Sequence, residues 1–177
     1  MRANQPLPNI WLVSDERNDD GLETALRRLP RGSGFIYRHY HLAPERRIAR
    51  WYALLRLVRA RGHLAVLADS SLTAREWGAD GIYGAPRALY PASELLTLAT
   101  AHSLREIGDA NRARADAVLL SPVFPTRSHK GAPALGPVRF RHLAAHARMP
   151  VIALGGMTPA RATALGWPRW AAIDGLA

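Results

Sequence analysis

The chain has 177 residues, 48% hydrophobic, 21% charged and 7% aromatic; this fits one soluble domain over residues 1–177 with a full core, and excludes a disordered tail or a multidomain machine. Its formal charge is +10, with Lys130 the only lysine among 24 basic residues, and an excess made almost wholly of arginine is weak grounds for expecting nucleic-acid or membrane binding. Cysteine is absent, which excludes disulfides, thiolate nucleophiles and cysteine-ligated metals and leaves any metal to oxygen or histidine.

From the N-terminus, the first apolar run is residues 10–13, far short of a signal peptide's core or a membrane span, so a cytoplasmic location is expected. Further short apolar runs follow at 35–37, 64–68, 81–83, 95–99, 117–120, 151–154 and 170–173, which makes eight predicted strands. Helical patterns alternate with them. Pro44 opens one, with Ile48, Trp51, Leu55 and Val58 on a single face before Arg61 and Gly62 close it. Ser103 and Glu106 have the spacing of a capping box. Thr158 followed by Pro159 opens another helix, with proline where its missing N–H costs nothing.

Strands that are apolar on both faces and alternate with helices indicate a parallel sheet covered on each side. Eight units without a break, and no Gly-x-Gly-x-x-Gly after the first strand, favour a closed (β/α)8 barrel over an open doubly wound sheet. In such a barrel the site is built just beyond the C-terminal strand ends.

The richest of those positions is the loop after strand six, where Thr126, Ser128, His129 and Lys130 place two hydroxyls, an imidazole and the sole ammonium together. Lysine is a mobile charge suited to phosphate, and the hydroxyls can donate to phosphate oxygens. After strand seven, Gly155 and Gly156 precede a helix start, and with the backbone at Ile173 and Asp174 after strand eight they form a candidate phosphate cup. On strand two, alternation puts Arg38 and Tyr40 on the face of Ile36, opposite Tyr37 and His39. An arginine pointing into a barrel mouth is costly unless an anion meets it. Asp69, after strand three, is a candidate magnesium ligand and equally a candidate helix cap. The pairs His39/His41 and His142/His146 have metal-compatible spacing but no supporting motif, and no Gly-x-Ser-x-Gly elbow is present.

These strand-end residues resemble the thiamine phosphate synthase/TenI family over nearly the whole chain. The likeness is strongest in Asp116-Ala117-Val118, in Pro122-Val123-Phe124-Pro125-Thr126 and in the run from Pro150 through Gly155-Gly156-Met157. Gly78-Ala79-Asp80-Gly81-Ile82-Tyr83 and Thr100-Ala101-His102-Ser103 add to it. The resemblance implies a (β/α)8 barrel that joins an aminopyrimidine diphosphate to a thiazole phosphate with release of pyrophosphate, using Mg2+. It implies that Arg38 contacts the pyrimidine diphosphate, with Tyr40 a substrate-binding candidate on the same face, and Thr100 stands where the family has a serine. Asp69 would hold the metal, Thr126 and Ser128 would touch the thiazole phosphate, and Lys130 would neutralise pyrophosphate. Gly155, Gly156, Ile173 and Asp174 would cradle the thiazole phosphate.

The chain also departs from the family. Of the strand-two pattern Gln-x-Arg-x-Lys only Arg38 is kept, the Asn-Asp pair has become Ala68-Asp69, and the second magnesium aspartate falls on Ala88. An extra residue lets either His129 or Lys130 take the family lysine's place. The better-kept phosphate cup leaves two alternatives beside the synthase: a TenI-like thiazole phosphate isomerase with His129 as acid or base, or a noncatalytic phosphate-ligand binder. Pro122 stands where the isomerase branch has a histidine. The expected partners are small phosphorylated thiazole and pyrimidine compounds, with no nucleic acid and no membrane; a homo-oligomer is left open.

Overall fold

The computed structural model describes residues 6–89, 94–127 and 133–176. Its strands are β1 (Ile10–Val13), β2 (Gly34–Tyr37), β3 (Leu64–Leu67), β4 (Gly81–Gly84), β5 (Leu96–Ala101), β6 (Ala117–Leu120), β7 (Val151–Ala153) and β8 (Trp170–Ala172). All neighbours are parallel and follow sequence order, and β8 pairs back on β1 with Ile10 opposite Trp170, so the sheet closes. The expected eight-stranded barrel is therefore the fold, and the open sheet is excluded.

Alternation along each strand divides the core in two. Trp11, Val13, Ile36, Val66, Leu98, Leu119 and Ile152 fill the barrel interior. Their neighbours Leu12, Phe35, Tyr37, Leu67, Ala99, Val118 and Leu120 pack outward under the helices. Both sets are buried, which is why the strands read as unbroken apolar runs. The helices are α1 (Leu22–Arg28), α2 (Pro44–Ala60), α3 (Ser71–Glu76), α4 (Leu104–Ala113), α5 (Gly136–Ala144) and α6 (Pro159–Leu165). On α2 the buried stripe is Trp51, Leu54 and Val58, with Ile48 and Leu55 half-buried beside it, and Gly62 takes φ +67° just beyond the helix end.

Among the described residues, β4 is followed by a 3-10 turn, Pro86–Leu89, and β8 by another, Asp174–Leu176.

At the N-terminal ends of the strands, two aspartates pin neighbours in place. Asp80 Oδ2 accepts the Ala65 N–H at 2.7 Å, and Asp116 Oδ2 accepts both the Thr97 N–H at 2.9 Å and its hydroxyl at 2.8 Å. These residues, which carried part of the family resemblance, therefore hold the barrel's floor and sit away from its mouth.

Candidate functional site

A cleft of about 530 Å³ opens at the C-terminal ends of the strands. Arg38 and Tyr40 reach it from β2, Tyr83 and Gly84 from β4, Thr100 and His102 from β5, and Thr126 and Arg127 from the loop after β6. Gly155, Gly156 and Arg161 line the β7 side, with Ile173 and Asp174 from β8. Eight residues singled out from the sequence thus meet on one surface: Arg38, Tyr40, Thr100, Thr126, Gly155, Gly156, Ile173 and Asp174. Ser128, His129 and Lys130 lie outside the described residues. Asp69 is described and does not line the cleft.

Parity along β2 explains the first wall. Ile36 points into the barrel, so Arg38 and Tyr40 continue on that face into the mouth, while Tyr37 and His39 turn outward. His39 is buried and stacks on Tyr37 with ring centroids 4.6 Å apart. Its Nδ1 lies 2.7 Å from Ser14 Oγ, and that hydroxyl also accepts the Arg38 backbone N–H at 2.8 Å. His39 Nε2 lies 2.9 Å from Asp19 Oδ1, which takes the Arg50 guanidinium at 2.7 Å. Burial, the largest influence on His39, pushes its pKa below the usual imidazole value against the pull of Asp19. With His41, these side chains bring three potential ligand atoms within 4.8 Å. Arg50 already sits on the shared carboxylate.

Behind Tyr40 stands Arg47 of α2. Its guanidinium lies 5.4–5.8 Å from the ring centres of Tyr37, Tyr40 and Trp77, and it donates to the carbonyls of Arg38 and Ala68. Its Nη1 is also 2.6 Å from Asp69 Oδ2. The other oxygen of Asp69 accepts the Ser70 N–H at 2.7 Å, and it is the Ser70 hydroxyl that caps α3. Burial alone would raise the Asp69 pKa, but Arg47 and the Ser70 N–H together hold it below the ordinary carboxylate value.

Magnesium needs one or two carboxylates in addition to substrate oxygens. Asp69 is neutralised by Arg47 with both oxygens engaged, and the position matching the family's second carboxylate is Ala88. The described residues therefore do not fit the magnesium site that the resemblance implied.

On the opposite wall, His102 Nδ1 lies 2.9 Å from the Ser121 carbonyl and 3.1 Å from its hydroxyl. A carbonyl only accepts, so Nδ1 carries the proton and Nε2 is the basic nitrogen of the neutral ring. The Ser103 hydroxyl caps α4 as expected, but the Glu106 carboxylate takes the His102 N–H, so the anticipated reciprocal box is half formed. His102 was not among the predicted site residues, although it shares the inward parity of Thr100.

The cup is built from loops that only glycine permits. Gly155 and Gly156 have φ of +95° and +61°, and a Cβ on Gly156 would lie 2.5 Å from the Pro125 carbonyl oxygen. Gly175 presses so close to the carbonyl oxygen of Met157 that a Cβ would meet it at 2.1 Å, which locks the loops after β7 and β8 together. Thr158 caps α6 as predicted, accepting from the Arg161 N–H at 3.2 Å. The Arg161 side chain then folds back toward the start of the helix to donate to the Gly156 carbonyl, with its guanidinium 5.0 Å from the Phe124 ring centre. Asp174, the carboxylate of the lining, is 3.5 Å from Arg17 Nη1.

Fold and site together define a (β/α)8 barrel whose basic, hydroxyl-bearing cleft sits at the catalytic face of such folds. The family model described as thiamine monophosphate synthase matches residues 10–172, and the chain belongs to that family. A thiamine-phosphate synthase of Laribacter hongkongensis is 30% identical over 186 residues, covering 96% of this chain and 84% of the relative. One from Chlorobium luteolum is 30% identical over 165 residues, with 88% and 77% covered. A solved thiamine phosphate pyrophosphorylase from Pyrococcus furiosus superposes with TM-score 0.77 at 25% identity over 94% of this chain and 85% of its own.

Proposed function

We propose that this chain is a cytoplasmic thiamine phosphate synthase-type transferase whose cleft binds a phosphorylated thiazole and an aminopyrimidine diphosphate. In this reading the bond from the pyrimidine's methylene carbon to the diphosphate oxygen breaks and the thiazole nitrogen bonds that carbon, while pyrophosphate leaves with the electron pair. The observation that carries the reading is the set Arg38, Arg127 and Arg161 around Thr100, Thr126 and Gly156 in one small-molecule-sized cleft. Guanidinium groups at the site of charge development stabilise a departing anion. By the resemblance, Ser128 would touch the thiazole phosphate and either Lys130 or His129 would neutralise the pyrophosphate. The test incubates the protein with both substrates and measures thiamine phosphate; absence of product from a folded sample overturns the coupling.

His102 supports a second reading, proton transfer on a thiazole carboxylate phosphate, because its ring is fixed by Ser121 with Nε2 as the base. Turnover of that compound alone distinguishes this reading from the first.

A further inference from the structure

Resting on the phosphate-site reading above, we propose that this cleft meets its ligand's phosphate charge with the protein's own arginines and binds the phosphate group without a divalent cation. Two independent observations lead there.

The first is the fate of Asp69. A carboxylate that is to hold magnesium must present an oxygen to the cation and to the substrate phosphate at once. Asp69 instead gives one oxygen to Arg47 and the other to the Ser70 N–H, and it stands outside the cleft lining. Arg47 is itself fixed. It is caged by three aromatic rings and bonded to two strand-end carbonyls, so its positive charge is a permanent part of the β2–β3 corner. A magnesium ion approaching Asp69 would meet this guanidinium on the same carboxylate, and like charges at such separation repel. Arg47 is thus a built-in cation in the place where a metal would be sought.

The second is the composition of the lining. Arg38, Arg127 and Arg161 come from three different segments and all face the cleft. The carboxylate among the described lining residues, Asp174, is engaged by Arg17. The surplus is therefore cationic, and it consists of guanidinium groups, whose planar fork of donors matches phosphate oxygens two at a time. A set of this kind supplies both the charge and the directed hydrogen bonds that a metal otherwise provides. The ligand class that suits it is a phosphomonoester or diphosphate presented as the free anion.

Calorimetric titration of the full chain with inorganic phosphate and with pyrophosphate, each in EDTA and in millimolar magnesium, tests the proposal. The expected Kd for inorganic phosphate, which magnesium complexes only weakly, changes by less than about twofold between the two conditions, a shift too small for a lost charge-assisted contact. Pyrophosphate, which millimolar magnesium sequesters, binds no more tightly with the metal than in EDTA. Asp69→Asn is expected to bind as the wild type does, whereas Arg38→Gln weakens binding by at least about tenfold, the loss of one such contact. Thermal melts of both variants show whether each is folded. Binding that disappears in EDTA and returns with magnesium overturns the proposal while leaving the phosphate site intact, and the behaviour of Asp69→Asn then shows whether that carboxylate holds the metal. Failure of both probes to bind in either condition overturns the phosphate-site reading itself.

Discussion

Ser14 Oγ lies 2.7 Å from His39 Nδ1 and at the same time accepts the Arg38 backbone N–H, so a buried histidine on the outside of the barrel props the arginine that faces the cleft. His39 and His63 are both buried, and burial is the largest influence lowering each pKa below the ordinary imidazole value. In the folded chain they therefore bind protons less readily than in the unfolded chain. The sign follows: stability is complete above the unfolded value of about 6.5 and is lost as pH falls through the lowered folded values. Urea unfolding at about pH 7.5 and about pH 5.5 is expected to show a lower midpoint in acid. His63→Gln is expected to flatten that slope, because His63 accepts the Ser33 N–H at 3.1 Å through Nδ1 and must lose that bond on protonation.

Gly156→Ala is expected to destabilise the protein by about 2 kcal/mol, combining a left-handed φ with a crowded contact. Its Cβ would lie 2.5 Å from the Pro125 carbonyl oxygen. Gly32 separates the two effects, since it has φ +77° with nothing within 4 Å. Gly32→Ala is expected to cost about 1 kcal/mol, the conformational part alone. The comparison is read from denaturation midpoints, and phosphate affinity should fall in the Gly156 variant while staying unchanged in the Gly32 variant.

The contrast between Ile36 and Asp69 shows what could be read before the fold was seen. Ile36 lies in an apolar run, and the two-residue period of a strand carries its inward direction on to Arg38 and Tyr40 without tertiary information. The same rule applied from Thr100 would have reached His102. The Gly155-Gly156 pair was legible because few other residues accept those backbone angles. The pairing of Asp69 with Arg47 leaves no mark in the sequence, because Arg47 is 22 residues away on a helix and meets it only when β2 and β3 lie side by side. Arg161 was invisible for a related reason. A helix residue whose side chain bends back to the preceding loop leaves no mark in periodicity. The 3-10 turn at Pro86–Leu89 after β4 belongs with these cases, since a strand-helix rhythm does not fix how tightly each crossover winds.

His102 is held at two points, Nδ1 by the Ser121 carbonyl and the backbone N–H by Glu106. If the cleft moves a proton on a thiazole carboxylate phosphate, His102→Ala is expected to lower kcat by about 10² with KM within about twofold. Glu106→Gln keeps the imidazole and weakens only the charge-assisted anchor, so a smaller loss of about threefold to tenfold in kcat is expected. Equal kcat in the wild type and His102→Ala would remove the imidazole from the chemistry.

At the barrel's centre, Trp11 lies across Gly34 on the adjacent strand, and its indole Nε1 donates to the Pro8 carbonyl at 2.9 Å. A Cβ on Gly34 would stand 2.0 Å from Trp11 Cε3. The ring is fully buried and surrounded by interior side chains, so it cannot withdraw without displacing them. Gly34→Ala is therefore expected to cost about 3 kcal/mol, at the upper end of overpacking changes. Trp11→Phe leaves a smaller ring over the glycine and a cavity beneath it, with a cost of about 2 kcal/mol. In the double variant the new methyl occupies part of the space the indole vacated, so the two losses should fall short of additivity by about 1 kcal/mol or more. Urea denaturation of all four proteins measures that coupling. Strict additivity would mean that the indole moves aside freely and that Gly34 is not required by the packing of Trp11.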